Sequence, residues 1–368
     1  MGGIASNGAG DIPDQLTNRP VQVSCRNVWK VFGRGGERIP SSEKAQLSRA
    51  ELMEKEGCTV AVRDVSFDIP KGEVFVVMGL SGSGKSTLTR CITRLIEVTV
   101  GDIELCGSSV VKADQRSLRD MRRTKVSMVF QHFALLPHRN VLGNVAYGLE
   151  VRGVDKVQRH ERARELLGVV GLAGLDSSYP NQLSGGMQQR VGLARALAND
   201  PEVLIFDEAF SALDPLIRRG MQDELVRLQQ QMHKTVIFVT HDLDEALKLG
   251  DRIAIMRDGA FVQLGTPEEV VGHPVDDYVA AFTQDVPRAK ILTAAWVMRP
   301  IIPGKVPERS VAESTKLEDV LGFLAERDEI VGVVDASGNV VGTIDRATVL
   351  QAVVTGPPHP DSMLAVRA

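Results

Sequence analysis

The stretch from Val74 to Leu95, "VFVVMGLSGSGKSTLTRCITRL", constrains the fold of this chain more than any other. A β-branched apolar run, suited to a strand buried on both faces, leads into Gly79-Leu-Ser-Gly-Ser-Gly84-Lys85-Ser86. That segment fits G-x-x-x-x-G-K-[ST], and helical spacing follows it. Glycine lets backbone N–H groups curl around phosphate oxygens with no Cβ in the way. On this reading Gly79, Ser81, Gly82, Ser83 and Gly84 form the cradle, and Lys85 reaches the β and γ phosphates of a nucleotide. The Ser86 hydroxyl is placed for Mg²⁺, and Thr87 opens the helix whose positive end faces the anion. Leu88, Cys91, Ile92 and Leu95 recur at helical spacing, so they are expected to pack that helix on a sheet, with Cys91 a core residue.

Other apolar runs rich in β-branched residues alternate with amphipathic segments, which predicts an α/β core. "VLIF" (Val203 to Phe206) ends in Asp207-Glu208, where one carboxylate can hold Mg²⁺ through water and the next can polarise an attacking water as general base. "TVIFVT" (Thr235 to Thr240) runs into His241, an imidazole able to contact a γ phosphate at the carboxyl edge of the sheet. Gln131 closes another short apolar run, "SMVF", and can meet either the Mg²⁺ or the water. The guanine-reading N-K-x-D of a GTPase is absent.

A second glycine turn opens a helix at Leu183, "LSGGMQQR". Ser184, Gly185 and Gly186 offer a hydroxyl and backbone donors but no lysine, so this cradle is weak alone and works when a partner delivers the anion. The ordered set of phosphate loop, Gln131, LSGG, Asp207-Glu208, Ser211-Ala-Leu-Asp214 and His241 resembles the ABC-type ATPases. The resemblance implies a P-loop NTPase fold with a RecA-like core and a helical subdomain at about 135–183. It implies ATP and Mg²⁺ as cofactors, Asp214 as a further nucleotide-binding residue, and a homodimer in which Ser184, Gly185 and Gly186 serve the ATP of the opposite subunit. Phe32, in "VWKVFG", matches the family's adenine-stacking aromatic, with Trp29 as the alternative.

"MVFQHFALLPHRNVLGNVAYGLE" and "DEAFSALDPLIRRGMQDELVRLQ" are similar to the ATPase subunits of glycine betaine and proline betaine importers, from about Val21 to Phe282. This implies integral-membrane permease partners, a substrate-binding protein reached through the permease, and a peripheral place on the cytoplasmic face of a bacterial inner membrane. Choline, carnitine or amino-acid import remain alternatives, as does a soluble ABC ATPase.

Charge and cysteines narrow the classes further. With 43 basic and 47 acidic residues the net charge is −4, which gives no global attraction to nucleic acid or anionic lipid. The four cysteines lack zinc-site spacing and read as reduced cytosolic thiols. Residues 1–20 lack a basic n-region and an apolar h-region, so they are expected to be a flexible tail. No apolar run approaches the about 20 residues that span a bilayer. Between Phe32 and the strand at Glu73, "SSEKAQLSRAELMEKEG" (Ser41 to Gly57) predicts a helical insertion with Ser48-x-x-Glu51 as capping box and Gly57 as stop. The charged composition suggests a solvated helix.

The composition changes near Pro287. "KLEDVLGFLAERDEIVGVVDASGNVVGTIDRATVLQAVV" predicts helix, strand, a turn at Ser337-Gly338-Asn339, strand and helix. With "WVMRPI" upstream it resembles one CBS motif at roughly 293–354. The domains expected are therefore a 21–285 ATPase and a small α+β CBS-like unit at 286–368, either regulatory or only structural. The family's ribose-binding Asp falls near Thr348 and its hydroxyl residue near Asp345, a departure that counts against adenosine binding.

Overall fold

The structure, a computed structural model, describes residues 18–130, 134–211, 213–301, 307–326 and 329–356. It divides into two compact units, Met1–Leu264 and Gly265–Ala368.

In the first unit, β1 (Val21–Phe32), β2 (Thr59–Pro70), β4 (Val100–Leu105) and β5 (Ser108–Ser109) form an antiparallel sheet in the order β2-β1-β4-β5. A second sheet has the order β10-β9-β3-β8-β7-β6, from β3 (Val74–Met78), β6 (Val126–Phe130), β7 (Val203–Asp207), β8 (Thr235–Thr240), β9 (Arg252–Arg257) and β10 (Ala260–Gly265). Its β9-β3-β8-β7-β6 portion is parallel. Every residue of β3, β7 and β8 is buried, as continuous apolar runs require when both faces are covered. Phe206 on β7 and Phe238 on β8 are register partners with ring centroids 5.7 Å apart.

Parallel register sets the site. Met78 pairs with Thr240, Asp207 with Val239, and Phe130 with Asp207, so the loops after β3, β7, β8 and β6 all leave from one edge.

The helix after the phosphate loop spans Lys85–Ile92 and buries Leu88, Cys91 and Ile92 in the core. Burial also pushes the Cys91 thiol up to about 11, away from reactivity. Leu95 departs from the expected pattern: it is 53% exposed, because Thr93 ends the helix and Arg94 turns at φ 51°. All four cysteines are free.

The insertion forms its helix at Arg49–Glu56 with the Ser48–Glu51 capping box, and Gly57 stops it at φ 63°. It is not merely a solvated helix. Leu52 is fully buried with Ile39, Trp29, Val31, Cys58 and Val60 in a small core against β1 and β2. One apolar residue per two turns is enough to dock a helix whose other faces remain charged.

Helices Val141–Val145, Tyr147–Val151, Lys156–Val169 and Gly185–Ala198 pack beside the second sheet's β6 end. Among the described residues no helix is long and apolar enough to cross a membrane.

The second unit carries β11 (Ser310–Ala312), parallel to β12 (Val331–Val334), which is antiparallel to β13 (Val340–Ile344). Helices Leu317–Glu326 and Arg346–Thr355 flank this sheet around a core of Leu292, Val297, Leu317, Val320, Leu324 and Val333. The predicted turn forms, with Gly338 at φ 83° and the Asp335 carboxylate accepting from the Ser337 and Asn339 N–H groups. Asp345 spends its carboxylate on the Thr348 N–H as a helix cap.

Candidate active site

The first loop is wedged in place. A Cβ on Gly79 would lie 2.2 Å from the Met256 carbonyl oxygen, and one on Gly84 would lie 2.1 Å from that of Ala61. Both glycines have positive φ, 150° and 114°, so these positions exclude side chains on conformation and space together. Ser81 and Gly82 face solvent, while Ser83 is buried with its Oγ unpartnered.

Lys85 is only 4% exposed. Its ammonium donates to the carbonyls of Gly79 (2.9 Å) and Leu80 (3.1 Å) and lies 3.5 Å from Glu208 Oε1. The cation is therefore held inside the loop that would wrap a phosphate. Ser86 Oγ donates to Asp207 Oδ1 at 2.7 Å, the pairing of hydroxyl and carboxylate that suits a hard divalent ion. Among the described residues no three His, Cys, Asp or Glu side chains gather as a cage. Mg²⁺ keeps waters and uses one or two protein oxygens together with substrate phosphates, so the Ser86–Asp207 pair suits it. Burial raises the Asp207 carboxyl above its ordinary value, opposed by the Ser86 hydrogen bond. Thr87 lies in the first turn of the helix beyond.

Glu208 sits just past β7 in the left-handed region, φ 50°, with its N–H donating to the Val239 carbonyl and its own carbonyl accepting from Ser211 Oγ at 2.8 Å. This turn swings the carboxylate between two neighbours, Lys85 and His241, whose Nδ1 is 3.7 Å from Oε2. Lys85, Ser86, Asp207, Glu208 and His241 thus come from three strand ends onto one edge. Gln131 lies outside the described residues; Phe130 before it pairs with Asp207.

The second turn is built differently. Ser184 caps the helix Gly185–Ala198, its Oγ accepting from the Met187 N–H, and Ser184 and Gly185 are exposed. Gly186 is buried, and a Cβ there would lie 2.5 Å from Ile217 Cγ2. Asp214 caps the helix Pro215–Met232 through the Ile217 N–H, so its carboxylate is engaged within its own chain.

Phe32 ends β1, is 42% exposed, and carries the Lys30 ammonium 4.8 Å above its ring. Trp29 belongs to the insertion's core, so Phe32 is the outward aromatic of the two.

Two contacts were not legible from motif spacing. Gln189, one turn into the second helix, donates to the Ala209 carbonyl at 2.6 Å and ties that helix to the loop carrying Glu208. Arg49, first residue of the insertion helix, donates to the Gly82 carbonyl at 2.6 Å. The Ser48–Glu51 capping signal fixes where Arg49 starts its helix, but no local pattern indicates what it touches.

Comparison with known proteins places this geometry. Residues 62–211 match the family model described as ABC transporter. The chain is 52% identical over 284 residues to the glycine betaine transport ATP-binding protein OpuAA of Bacillus subtilis, covering 77% of this chain and 68% of that one. It is 47% identical over 327 residues to the trimethylamine N-oxide transport system ATP-binding protein TmoW of Ruegeria pomeroyi, covering 88% and 94%. Among solved structures, the ATP-binding cassette MJ0796, a dimer in a post-hydrolysis state bound to ADP and Pi, superimposes with a TM-score of 0.57 at 33% identity over 67% of this chain and 99% of that one.

Proposed function

The chain belongs to the ABC-transporter ATP-binding subunits, ATP-hydrolysing proteins with a P-loop, RecA-like core, and from that premise we propose that it drives import of glycine betaine or a related quaternary amine. The observation that carries the reading is the conjunction of a hydrolytic set at one sheet edge with close likeness, over most of the chain, to a glycine betaine transport ATPase. The likeness to a trimethylamine N-oxide transport ATPase favours a second reading within the same chemistry, a smaller methylated amine.

In the proposed reaction, Lys85 and the loop N–H groups hold the β and γ phosphates, and Phe32 stacks on adenine. Ser86 and Asp207 would hold Mg²⁺, with Gln131 as a further ligand or a contact to the water; the ion supplies charge neutralisation on the phosphates. Glu208 accepts a proton from the attacking water, and His241 contacts the γ phosphate from the neighbouring strand end. Asp214 is a further nucleotide-binding residue, and Ser184, Gly185 and Gly186 complete the site of a second copy in a head-to-tail homodimer, as supported by the dimeric form of MJ0796. Nucleotide closes the pair and loss of the γ phosphate reopens it.

The partners that follow are integral-membrane permease subunits at the cytoplasmic face of a bacterial inner membrane, with a substrate-binding protein beyond them. The domain reading is a 21–285 ATPase and a CBS-like 286–368 region that tunes it. Reconstituting the subunit with its permease and measuring ATP hydrolysis against added solutes tests this function. Stimulation by glycine betaine supports it, stimulation by trimethylamine N-oxide alone selects the second reading, and stimulation by neither overturns both. Deleting 286–368 should leave basal hydrolysis and change its salt response; an unchanged response removes the regulatory role.

A further inference from the structure

The insertion between Phe32 and β2 meets the phosphate loop directly at one place, Arg49, and shares β2 with it as a second support. At its neck the ends touch: a Cβ on Gly33 would lie 2.7 Å from the Gly57 carbonyl oxygen, and Cys58 Sγ lies 3.4 Å from the Arg34 carbonyl oxygen. The segment is thus a closed loop anchored by Leu52 in its own small core. From there Arg49 reaches the Gly82 carbonyl. Behind the loop, Arg63 on β2 donates to the Ala45 and Leu47 carbonyls of the insertion, both at 2.8 Å. Two residues earlier, the Ala61 carbonyl is the atom against which Gly84 is wedged.

The three glycines of the loop are not equally held. Gly79 and Gly84 are wedged against backbone, whereas a Cβ on Gly82 would meet nothing within 4 Å. Gly82 is therefore the one of these three glycines that packing does not wedge. Gly79 and Leu80 turn their carbonyls to the Lys85 ammonium, whereas Gly82 turns its carbonyl to Arg49. Because a peptide unit is planar, holding that carbonyl fixes the plane of the whole Gly82–Ser83 unit. The same unit is held at its other end by the Ser83 N–H, which donates to the Leu80 carbonyl at 3.1 Å, and the guanidinium on the Gly82 carbonyl is the second hold, the one that ties the unit to the insertion. Restricting the free loop in this way reduces what binding must order.

We propose that Arg49 is a positioning residue for ATP: through the Gly82 carbonyl it couples the insertion to the phosphate loop and sets nucleotide affinity. Phe32, at the insertion's neck, puts the adenine end of the same nucleotide under the same element. The inference rests on the nucleotide reading of the loop. Coupling is reciprocal, so Mg·ATP in turn stiffens the insertion.

The test uses the full chain and Mg·ATP. Losing a hydrogen bond to a charged donor should raise the Kd of Arg49→Ala about tenfold, the low end of the usual worth of such a bond, with the loss falling on KM for ATP rather than on kcat. Arg49→Lys, which keeps one donor and the charge, should recover most of it. Mg·ATP should slow amide hydrogen exchange over 49–57 in the wild type and not in Arg49→Ala. A Kd for Arg49→Ala within about twofold of wild type, a loss that Arg49→Lys does not narrow, or a matching fall in the nucleotide-free Tm overturns the proposal. A wild-type chain that fails to bind Mg·ATP overturns the nucleotide reading first, and this inference with it.

Discussion

Lys85 and Ser184 each stand beside a glycine turn that opens a helix, yet the two turns differ in everything around them. The first has its cation buried, two glycines wedged against backbone, and carboxylates from two residues within reach. The second has its serine and first glycine in solvent, an ordinary helix cap, and no φ in the left-handed region at Gly185 or Gly186. Charge and geometric constraint together let a loop hold a multivalent anion unaided, and donors alone do not. The contrast matches the proposed division of labour, in which the first turn traps the phosphates and the second serves as a lid for the trap of another copy.

The largest effect expected from breaking this arrangement is at the trap. Glu208→Gln should lower phosphate release by roughly 10²–10⁴-fold, the usual worth of a general base, while Mg·ATP binding persists. Release at the wild-type rate would remove Glu208 from the reaction. Ser184→Arg acts on the lid: ATP binding to the single chain should be unchanged, while ATP-dependent dimerisation read by sedimentation falls by about a hundredfold, because an unpaired charge is forced into a contact face. Equal dimerisation would mean that the second turn faces nothing.

Gly186→Ala sharpens the comparison from inside the lid. The new methyl meets Ile217 Cγ2 at 2.5 Å, and overpacking of this kind costs about 1–3 kcal/mol, measurable by urea unfolding. Adding Ile217→Ala should relieve part of it, so the two substitutions should not add.

The smallest effect concerns the strand end that carries His241. Glu245 is buried there, accepting from Thr240 Oγ1 at 2.6 Å and from Gln222. Burial raises its carboxyl above the ordinary 4.5, with the Thr240 hydrogen bond opposing. A raised carboxyl holds its proton longer in the folded than in the unfolded chain, so its contribution is most favourable at low pH and is lost as pH rises from that ordinary value through the raised one. Glu245→Gln should therefore gain stability relative to wild type as pH rises through this window, read as a growing difference in urea midpoints. A gain on lowering the pH would contradict the sign.

Local pattern carried much of this chain. Continuous β-branched runs announce strands covered on both faces, a glycine-rich turn between strand and helix announces a phosphate loop, and Ser48-x-x-Glu51 announces a helix start; all of these are encoded by neighbours in sequence, and the structure has each of them. Leu95 resisted the same reasoning, since periodicity does not say where a helix ends when Arg94 turns at positive φ. So did the insertion, because a charged helix with one buried leucine has almost the composition of a solvated one.

Contacts between residues far apart in the chain belong to tertiary structure alone. Parallel register of β3, β7 and β8 brings Lys85, Glu208 and His241 within 4 Å of one another through Glu208. Packing decides that Gly82 alone among the loop glycines is left unwedged, and that Arg49 is the group that meets it. Strand and turn propensities act over a few residues, whereas register, wedging and a guanidinium's partner depend on which surfaces meet once the sheet has assembled.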